Sequence, residues 1–181
     1  MKVIAFAASS SKNSINKKLA TLAAHTLRDE LVPDAEVDVL DLNDFEMPIY
    51  SIDREKETGI PDLAHQFKSK ISAADGIIIS FAEHNGAYSA AYKNIYDWVS
   101  RIDTSVWMGK PMFLLATSPG RRGGQSVLEL ATNNYKHGNK NTIASSSLPS
   151  FQENFSVNLG ITNEELEKEF NEQLELFSAS L

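Results

Sequence analysis

The chain has no cysteine among its 181 residues. It therefore forms no disulfide, has no thiol nucleophile, and holds neither an iron–sulfur cluster nor a cysteine-ligated zinc ion. Glycine and proline are scarce as well, at 9 and 6 residues, which excludes a fibrous or low-complexity protein. Apolar residues make up 42% of the chain, enough to build a core in a protein of single-domain length.

Long apolar runs and an excess of positive charge are also missing. The apolar run at residues 3–8 is too short for a signal-peptide core, and no other run is long enough to span a membrane. Lysine and arginine number 17 against 24 aspartate and glutamate residues, and the net charge of −7 disfavours nucleic acid or an anionic membrane as the main partner. We expect a cytoplasmic protein with no nucleic-acid and no membrane partner.

Apolar runs of strand length alternate with helical patterns along the chain. Nearly continuous apolar runs at residues 2–8, 76–81 and 112–117 predict strands that are buried on both faces. The run at residues 36–42 alternates with acidic residues, and the run at residues 142–147 is weak and rich in serine. These two runs predict edge strands.

One helical pattern of apolar residues follows each predicted strand. The five patterns lie at residues 15–27, 63–71, 92–102, 127–135 and 166–177. Thr162 and Glu165 have the spacing of a capping box, which predicts the start of the last helix. The alternation predicts an α/β fold, a doubly wound parallel sheet in the order 2-1-3-4-5 with helices on both faces, as one domain over residues 1–181.

A sheet of this order places its ligand site at the carboxyl ends of strands one, three and four. The first loop, residues 9–16, carries six hydroxyl or amide side chains at the start of a helix. This pattern predicts a phosphate or sulfate cradle, and ordinary helix capping is the alternative. The loop contains no glycine, so it is neither a Walker loop nor a dinucleotide-binding turn.

The other two loops place one polar segment and one glycine-rich segment at this edge of the sheet. The second loop, residues 82–88, could offer donors to a flat heterocycle, or Asn85-Gly86 could be only a turn. The third loop, residues 117–124, has three glycines that permit close backbone approach, and its arginines could steer an anionic substrate or be solvated surface charges. The isolated histidines, His84 included, and the absence of a nucleophile motif predict no metal site and no catalytic side chain.

Together the three loops resemble those of the NADPH-dependent FMN reductase family, which includes chromate, quinone and azo-dye reductases. The family has G-S-x-R-x-x-S-x-N, P-E-Y-N-G-S and S-x-G-x-x-G-G after strands one, three and four. Here residues 8–16 read A-S-S-S-K-N-S-I-N, residues 82–87 read A-E-H-N-G-A, and residues 118–124 read S-P-G-R-R-G-G. Ser11, Ala82 and His84 depart from the family's usual arginine, proline and tyrosine.

The resemblance covers about residues 2–147 and implies a flavodoxin-like fold with bound FMN. It assigns the phosphate to the first loop and the ribityl chain and ring to the other two. The implied FMN-binding residues are Ser9, Ser10, Ser11, Ser14, Ile15, Asn16, Ala82, Glu83, His84, Asn85, Gly86, Ser118, Pro119, Gly120, Gly123 and Gly124. Lys12, Arg121 and Arg122 are the cations available for the 2′-phosphate of NADPH.

The implied activity is hydride transfer from NADPH or NADH to FMN, followed by transfer of two electrons to a small acceptor such as a quinone, azo compound, metal ion or flavin. The resemblance also implies a homodimer or homotetramer. Two alternatives stay open at this point. One is a flavodoxin-type electron carrier that a protein partner reduces, and the other is a phosphate-binding module without flavin on the same fold.

Overall fold

The computed structural model describes every residue from Met1 to Leu181. The strands are β1 (Lys2–Ala8), β2 (Glu36–Leu40), β3 (Gly76–Phe81), β4 (Glu83–His84), β5 (Ala87–Tyr88), β6 (Met112–Thr117), β7 (Ile143–Leu148), β8 (Phe155–Ser156) and β9 (Gly160–Ile161). Five of them form a parallel sheet in the order β2-β1-β3-β6-β7. Because β6 and β7 are the fourth and fifth of the large strands, the predicted order 2-1-3-4-5 is confirmed.

Seven α-helices surround the sheet. They are α1 (Ile15–Thr26), α2 (Ile52–Thr58), α3 (Asp62–Ala73), α4 (Ala90–Ile102), α5 (Gln125–Lys136), α6 (Phe151–Asn154) and α7 (Glu164–Ser178). A π-helical turn at Leu27–Leu31 continues α1, and a 3-10 turn at Leu42–Phe45 follows β2. No helix combines the length and the apolar character needed to cross a membrane.

The sheet separates two apolar cores, as a doubly wound fold requires. Side chains along a strand point alternately to its two faces. In β1, Ile4 and Phe6 therefore join one core with α3, α4 and α5, while Val3 and Ala5 join the other core with α1 and α7. All residues of β3 and β6 are buried, whereas β2 and β7 lie at the sheet edges and are partly exposed.

Several predicted boundaries differ from the structure. Strand β2 ends at Leu40 instead of residue 42, because the Asp41 side chain accepts from the N–H of Asn43 and starts a 3-10 turn. Strand β7 begins and ends one residue later than predicted. Helix α2 and the pairs β4–β5 and β8–β9 were not predicted, since they are short and α2 buries no residue.

The predicted capping box of the last helix is wrong. The N-cap of α7 is Asn163, whose Oδ1 accepts from the N–H groups of Glu165 and Leu166, both at 3.1 Å. Thr162 lies one residue too early to cap the helix, and its hydroxyl instead donates to the carbonyl of Glu153. Asn163 thus satisfies two of the helix N–H groups that otherwise have no partner.

Candidate functional site

The loops after β1, β3 and β6 meet around one cavity of about 230 Å³, which we call the cleft. These three strands are neighbours and run parallel, so their carboxyl ends lie at the same edge of the sheet. The cleft is lined by Ser9, Ser11, Asn13, Ser14, Ile15, Asn16, Ala82, Glu83, His84, Thr117, Ser118 and Pro119. The structure therefore brings together residues from all three loops that the sequence singled out.

The first loop presents backbone donors without protein acceptors. No protein group accepts from the N–H groups of Ser10, Lys12, Asn13, Ile15 and Asn16. They precede or begin α1, whose dipole places partial positive charge at the same end. Successive free N–H groups at a helix start form a cradle for an anion, and this cradle needs no arginine.

Two serines of the first loop accept hydrogen bonds from nearby backbone N–H groups. Ser9 Oγ accepts from the N–H of Ser11 at 3.2 Å, and Ser14 Oγ accepts from the N–H of Lys17 at 3.2 Å as the N-cap of α1. Ordinary capping, the alternative interpretation of this loop, is thus present at Ser14. Each hydroxyl keeps its own proton, which remains available for a hydrogen bond to an anion in the cleft.

Asn16 has a supporting role that its sequence position did not reveal. It is 3% exposed, its Nδ2 donates to the carbonyl of Thr117 at 3.1 Å, and its Oδ1 accepts from the Thr117 N–H at 3.0 Å and from Ser80 Oγ at 2.8 Å. The side chain thus ties α1 to the ends of β3 and β6. The free group that Asn16 offers to the cleft is its backbone N–H.

The second loop is a β-hairpin. Asn85 and Gly86 form its turn with φ of 52° and 76°, the left-handed pair typical of two-residue hairpin turns. Neither residue lines the cleft, so the interpretation of this dipeptide as a turn describes its local structure. Ala82, Glu83 and His84 do line the cleft.

The carboxylate of Glu83 forms a hydrogen bond to the backbone of a helix. It accepts from the N–H of Val127 at 3.0 Å, within the first turn of α5. A negative charge at this position satisfies an otherwise unpaired N–H group and complements the helix dipole. Glu83 therefore joins the second loop to the element that follows the third.

Two glycines of the third loop are required by backbone conformation and by close packing. Gly123 and Gly124 have φ of 57° and 76°, and a Cβ on Gly123 would overlap the Ser147 hydroxyl and lie 2.9 Å from the nitrogen of Pro149. A Cβ on Gly124 would lie 3.0 Å from that of Ala116. These two glycines let α5 begin close against β6 and β7.

The rest of the third loop lies at the rim of the cleft. Ser118 and Pro119 line the cleft, whereas Gly120, Arg121 and Arg122 lie outside its lining. Arg122 Nη2 donates to Ser126 Oγ at 2.7 Å, and Arg121 has no hydrogen-bond partner. Arg121 is therefore the cation of this loop that is free to meet an anion.

Two further residues of the first loop face neighbouring cavities. Ser10 borders a cavity of about 370 Å³ between the segment after β2 and the start of α4. Lys12 lines a groove along the outer face of α1. Ser10 and Lys12 therefore border two different cavities and lie outside the lining of the cleft.

A group of aromatic side chains lies behind the cleft. Phe81, at the end of β3, contacts Tyr88 and Tyr92, with ring centroids 5.6 and 5.4 Å apart. The hydroxyls of Tyr92 and Tyr135 share a hydrogen bond, and burial raises the pKa of both phenols well above 10. Both phenols are therefore neutral near pH 7, so this aromatic group adds no charge beside the cleft.

The chain matches known proteins in both sequence and structure. The model of the NADPH-dependent FMN reductase family matches residues 1–152. A 2-hydroxy-1,4-benzoquinone reductase from Burkholderia sp. is 35% identical over 124 residues, which are 68% of this chain and 63% of that protein. The chain matches 63%, 62% and 42% of the length of three curated relatives, less than two thirds in each case.

Solved structures show the same fold. The flavoenzyme NAD(P)H:(acceptor) oxidoreductase of Paracoccus denitrificans has a TM-score of 0.74 and 24% identity, with 99% of this chain and 96% of that one covered. An NADH:FMN oxidoreductase in its apo form has a TM-score of 0.75 and 18% identity, with coverage of 99% and 89%. The predicted flavodoxin-like fold is thus confirmed, and from the match over residues 1–152 the chain belongs to the NADPH-dependent FMN reductase family.

Proposed function

We propose that this protein is an FMN-dependent NAD(P)H oxidoreductase that passes two electrons to a small acceptor. The observation that carries the proposal is the cleft itself, where the first loop, with its free N–H groups, meets the loops after β3 and β6. A phosphate at the first loop and a flat ring between the other two loops would match the residues that line the cleft. Membership of the FMN reductase family supports the same assignment.

The first loop fits the phosphate of FMN. Its free N–H groups, together with the hydroxyls of Ser9, Ser11 and Ser14, would donate to the phosphate oxygens. Ser11 stands where the family usually has arginine, so backbone donors and the α1 dipole replace one charge-assisted contact. An anion held in this way depends little on ionic side chains, in keeping with the net charge of −7.

The other two loops would flank the ribityl chain and the ring. On one side lie Ala82, Glu83 and His84, and on the other Ser118 and Pro119. The Glu83 carboxylate is held by α5, so this segment would meet the ring mainly through its backbone. Gly120 lies outside the lining, next to Pro119, and a Cβ there would meet only Ser118 Oγ, at 3.9 Å, so its backbone would permit close approach of a ligand.

The chemistry that FMN supplies when bound is acceptance of a hydride and release of two electrons, so the protein needs to bind, orient and shield. No nucleophile with an adjacent base lines the cleft, and the phenols behind it stay protonated. Arg121, at the rim, is placed to attract the phosphates of a nicotinamide nucleotide. A quinone is the acceptor class that we favour, because a relative with 35% identity is named a benzoquinone reductase.

A visible absorption spectrum of the purified protein tests the proposal. We expect flavin bands that bleach when NADPH or NADH is added without oxygen and return when a quinone is added. A colourless protein whose melting temperature does not change with FMN would contradict the proposal, because a ligand that binds the native state must raise its stability.

The same experiment separates an enzyme from an electron carrier. A flavodoxin-type carrier would show flavin bands that persist with NAD(P)H and bleach only when a reductase protein is added. The free Arg121 at the cleft rim favours the enzyme, since it offers a contact for the nucleotide itself. Assembly as a homodimer or homotetramer stays a prediction, which light scattering would test.

A further inference from the structure

The imidazole of His84 lines the cleft and has no partner in the protein. His84 ends β4, directly before the turn of the second loop, and its side chain is exposed. It takes part in no side-chain hydrogen bond and no salt bridge, whereas the carboxylate of its neighbour Glu83 is bonded to α5. Both ring nitrogens of His84 are therefore available to a ligand in the cleft.

The backbone at His84 is fixed on both sides. His84 pairs with Ala87 in the antiparallel register of β4 and β5, and the tight Asn85-Gly86 turn joins the two strands. On the other side, the hydrogen bond of Glu83 to the first turn of α5 holds the preceding residue. These two anchors set the point from which the imidazole extends, beside the proposed position of the flavin ring.

No other side chain of the cleft is suited to release a proton near neutral pH. His84 and Glu83 are the only titratable side chains in the lining, and the Glu83 carboxylate serves as an acceptor for α5. The hydroxyls of Thr117 and Ser118 donate to backbone carbonyls. Histidine is the side chain that ordinarily changes its charge between about pH 5 and 8. His84 is therefore the group of the cleft that can hold a proton in this range and pass it to a ligand.

The charged groups on the neighbouring elements leave His84 without a fixed counter-ion. Tyr88, in the paired strand, is neutral near pH 7 because burial raises the pKa of its phenol above 10. Helix α5 contacts β5, and its charged residues are Glu129, which accepts from a glutamine of the same helix, and the last residue of the helix. In α4, which follows the hairpin, Lys93 forms a salt bridge within the helix. The arginines at residues 121–122 lie outside the lining of the cleft.

We propose that His84 is the proton donor when the protein reduces a quinone. This inference rests on the proposed function, because it needs a flavin ring between the second and third loops. Reduction of a quinone to a hydroquinone adds one hydride and one proton. The hydride, with its electron pair, comes from reduced FMN and forms an O–H bond at one quinone oxygen. The imidazolium N–H bond of His84 breaks, its proton passes to the other oxygen, and the neutral imidazole then takes up a proton from water.

This role explains why the sequence predicted no catalytic side chain. That prediction relied on the absence of a nucleophile near His84, but a proton donor to a quinone needs no nucleophile beside it. The departure from the family's usual tyrosine also gains a chemical meaning. A phenol is a far weaker acid than an imidazolium, so histidine at this position provides a donor that is better matched to neutral pH.

Rapid mixing of the reduced protein with two acceptors tests this inference. The FMN-loaded full-length protein is reduced with dithionite and mixed either with a benzoquinone, which must take up a proton, or with ferricyanide, which accepts electrons alone. We expect His84→Gln to lower the ratio of the quinone rate to the ferricyanide rate by at least about tenfold at pH 6. The ratio cancels differences in flavin content. His65→Gln, at an exposed histidine of α3, is the matched control and should keep the wild-type ratio.

The pH dependence of this ratio distinguishes proton donation from positioning of the quinone. In the wild type the ratio should fall as the pH rises from about 6 to 8, where histidine ordinarily loses its charge. In His84→Gln the ratio should be independent of pH over this range, because glutamine does not titrate. His84→Tyr, which restores the family's usual residue, should also remove this dependence, because a phenol titrates near pH 10.

A binding measurement gives a readout without turnover. Pentafluorophenolate resembles the anion that accepts the proton, and a phenolate stacked on oxidised flavin produces a long-wavelength charge-transfer band. Titration of the oxidised FMN-loaded protein should show that this phenolate binds about tenfold more tightly at pH 6 than at pH 8, because the imidazolium forms a charge-assisted hydrogen bond. His84→Gln should lose this difference.

The outcomes separate this inference from the proposed function. A wild-type ratio that does not vary with pH, an unchanged ratio in His84→Gln, or a pH dependence that survives this substitution would overturn the role of His84. Each of these results leaves the proposed function intact. Failure of the wild-type protein to bind FMN, or of NADPH and NADH to reduce the bound FMN, would instead overturn the proposed function.

Discussion

The side-chain amide of Asn16 pairs with both backbone groups of Thr117, donating to its carbonyl at 3.1 Å and accepting from its N–H at 3.0 Å. A neighbouring strand would pair with Thr117 in a similar way, but here the partner is a side chain in the first turn of α1. The same Oδ1 also accepts from Ser80. The floor of the cleft is therefore one hydrogen-bonded unit that joins α1, β3 and β6.

Replacement of Asn16 should destabilise the protein even without a ligand. In Asn16→Ala the buried N–H and carbonyl of Thr117 and the hydroxyl of Ser80 lose their partner, and we expect the free energy of unfolding to fall by about 2–3 kcal/mol. Denaturant unfolding of the flavin-free protein measures this loss. Asn13→Ala, in the same loop but exposed, is the control and should cost little. Equal losses in the two variants would contradict a supporting role for Asn16.

Replacement of Glu83 should weaken the start of α5. Glu83→Ala leaves the N–H of Val127 without its acceptor, and we expect a loss of about 1 kcal/mol in stability. Glu83→Gln keeps an accepting oxygen and should lose only the charge contribution, a few tenths of a kcal/mol. Thermal unfolding of the two variants beside Glu129→Ala, which removes an exposed carboxylate of α5 whose one hydrogen bond is from the Gln125 side chain, gives the comparison. If Glu83→Ala and Glu129→Ala cost the same, the Glu83 contact contributes nothing.

The glycines of the third loop should separate into two groups. Gly123→Ala forces a left-handed backbone on alanine and drives its Cβ into Ser147 and Pro149, so we expect a loss of more than about 2 kcal/mol or failure to fold. Gly120 has an ordinary φ, and a Cβ there would meet only Ser118 Oγ, at 3.9 Å, so Gly120→Ala should leave stability nearly unchanged. If a flavin approaches this loop, Gly120→Ala should still weaken FMN binding. Isothermal titration with FMN and denaturant unfolding measure the two effects separately.

Replacement of the arginine pair should discriminate between the two nicotinamide nucleotides. We expect Arg121→Ala combined with Arg122→Ala to raise the KM for NADPH by about threefold to tenfold and to change the KM for NADH less, because only NADPH carries the 2′-phosphate. Arg121→Ala alone should account for most of this change, since Arg122 already donates to Ser126. NADH serves as the internal control. Equal changes in the KM for NADPH and for NADH would contradict a role for these arginines in binding the 2′-phosphate.

The ion pair between Lys17 and Asp41 should make stability depend on pH in the acid range. The hydrogen bond from the Lys17 ammonium group holds the pKa of the Asp41 carboxyl below its usual value. The unfolded chain therefore binds a proton more readily than the native state does, and stability falls as the pH drops from about 4 through the lowered native pKa.

The variant Asp41→Asn tests this sign. At neutral pH it should be less stable than the wild type by up to about 1 kcal/mol, since the pair is partly exposed. The difference should shrink below about pH 4. Asp34→Asn, at an exposed aspartate without a salt bridge, is the control. A difference between Asp41→Asn and the wild type that stays constant down to the lowest accessible pH would contradict this assignment.

The large elements and their order could be predicted because they follow from pattern alone. The apolar runs of β1, β3 and β6 are buried on both faces, and a central parallel strand needs such a run. The edge strands were recognised by their partial polarity, but their ends were not. Asp41 ends β2 by capping a turn, and the pattern of apolar residues does not indicate where a cap competes with the sheet.

Residue roles within the three loops could be predicted only in part. The loops were located from topology, and the structure shows that they meet at one cleft. The sequence could not distinguish a side chain that faces the cleft from one that supports it. Asn16 and Glu83 both resemble ligand-binding residues, yet their side chains contact Thr117 and Val127. Their partners are distant in the chain, and polar type alone does not reveal them.

The sequence by itself determined the order of the sheet, the edge at which three polar loops meet and the family to which the chain belongs. These follow from local properties, namely the hydrophobic period, glycine and serine content, and motif order. Only the tertiary structure decided which polar groups stay free for a ligand, because hydrogen bonds between distant loops use up the others. It also revealed the groove between α1 and the β8–β9 hairpin, since the cationic residues of α1 and the apolar residues of the hairpin face each other only after the chain has folded.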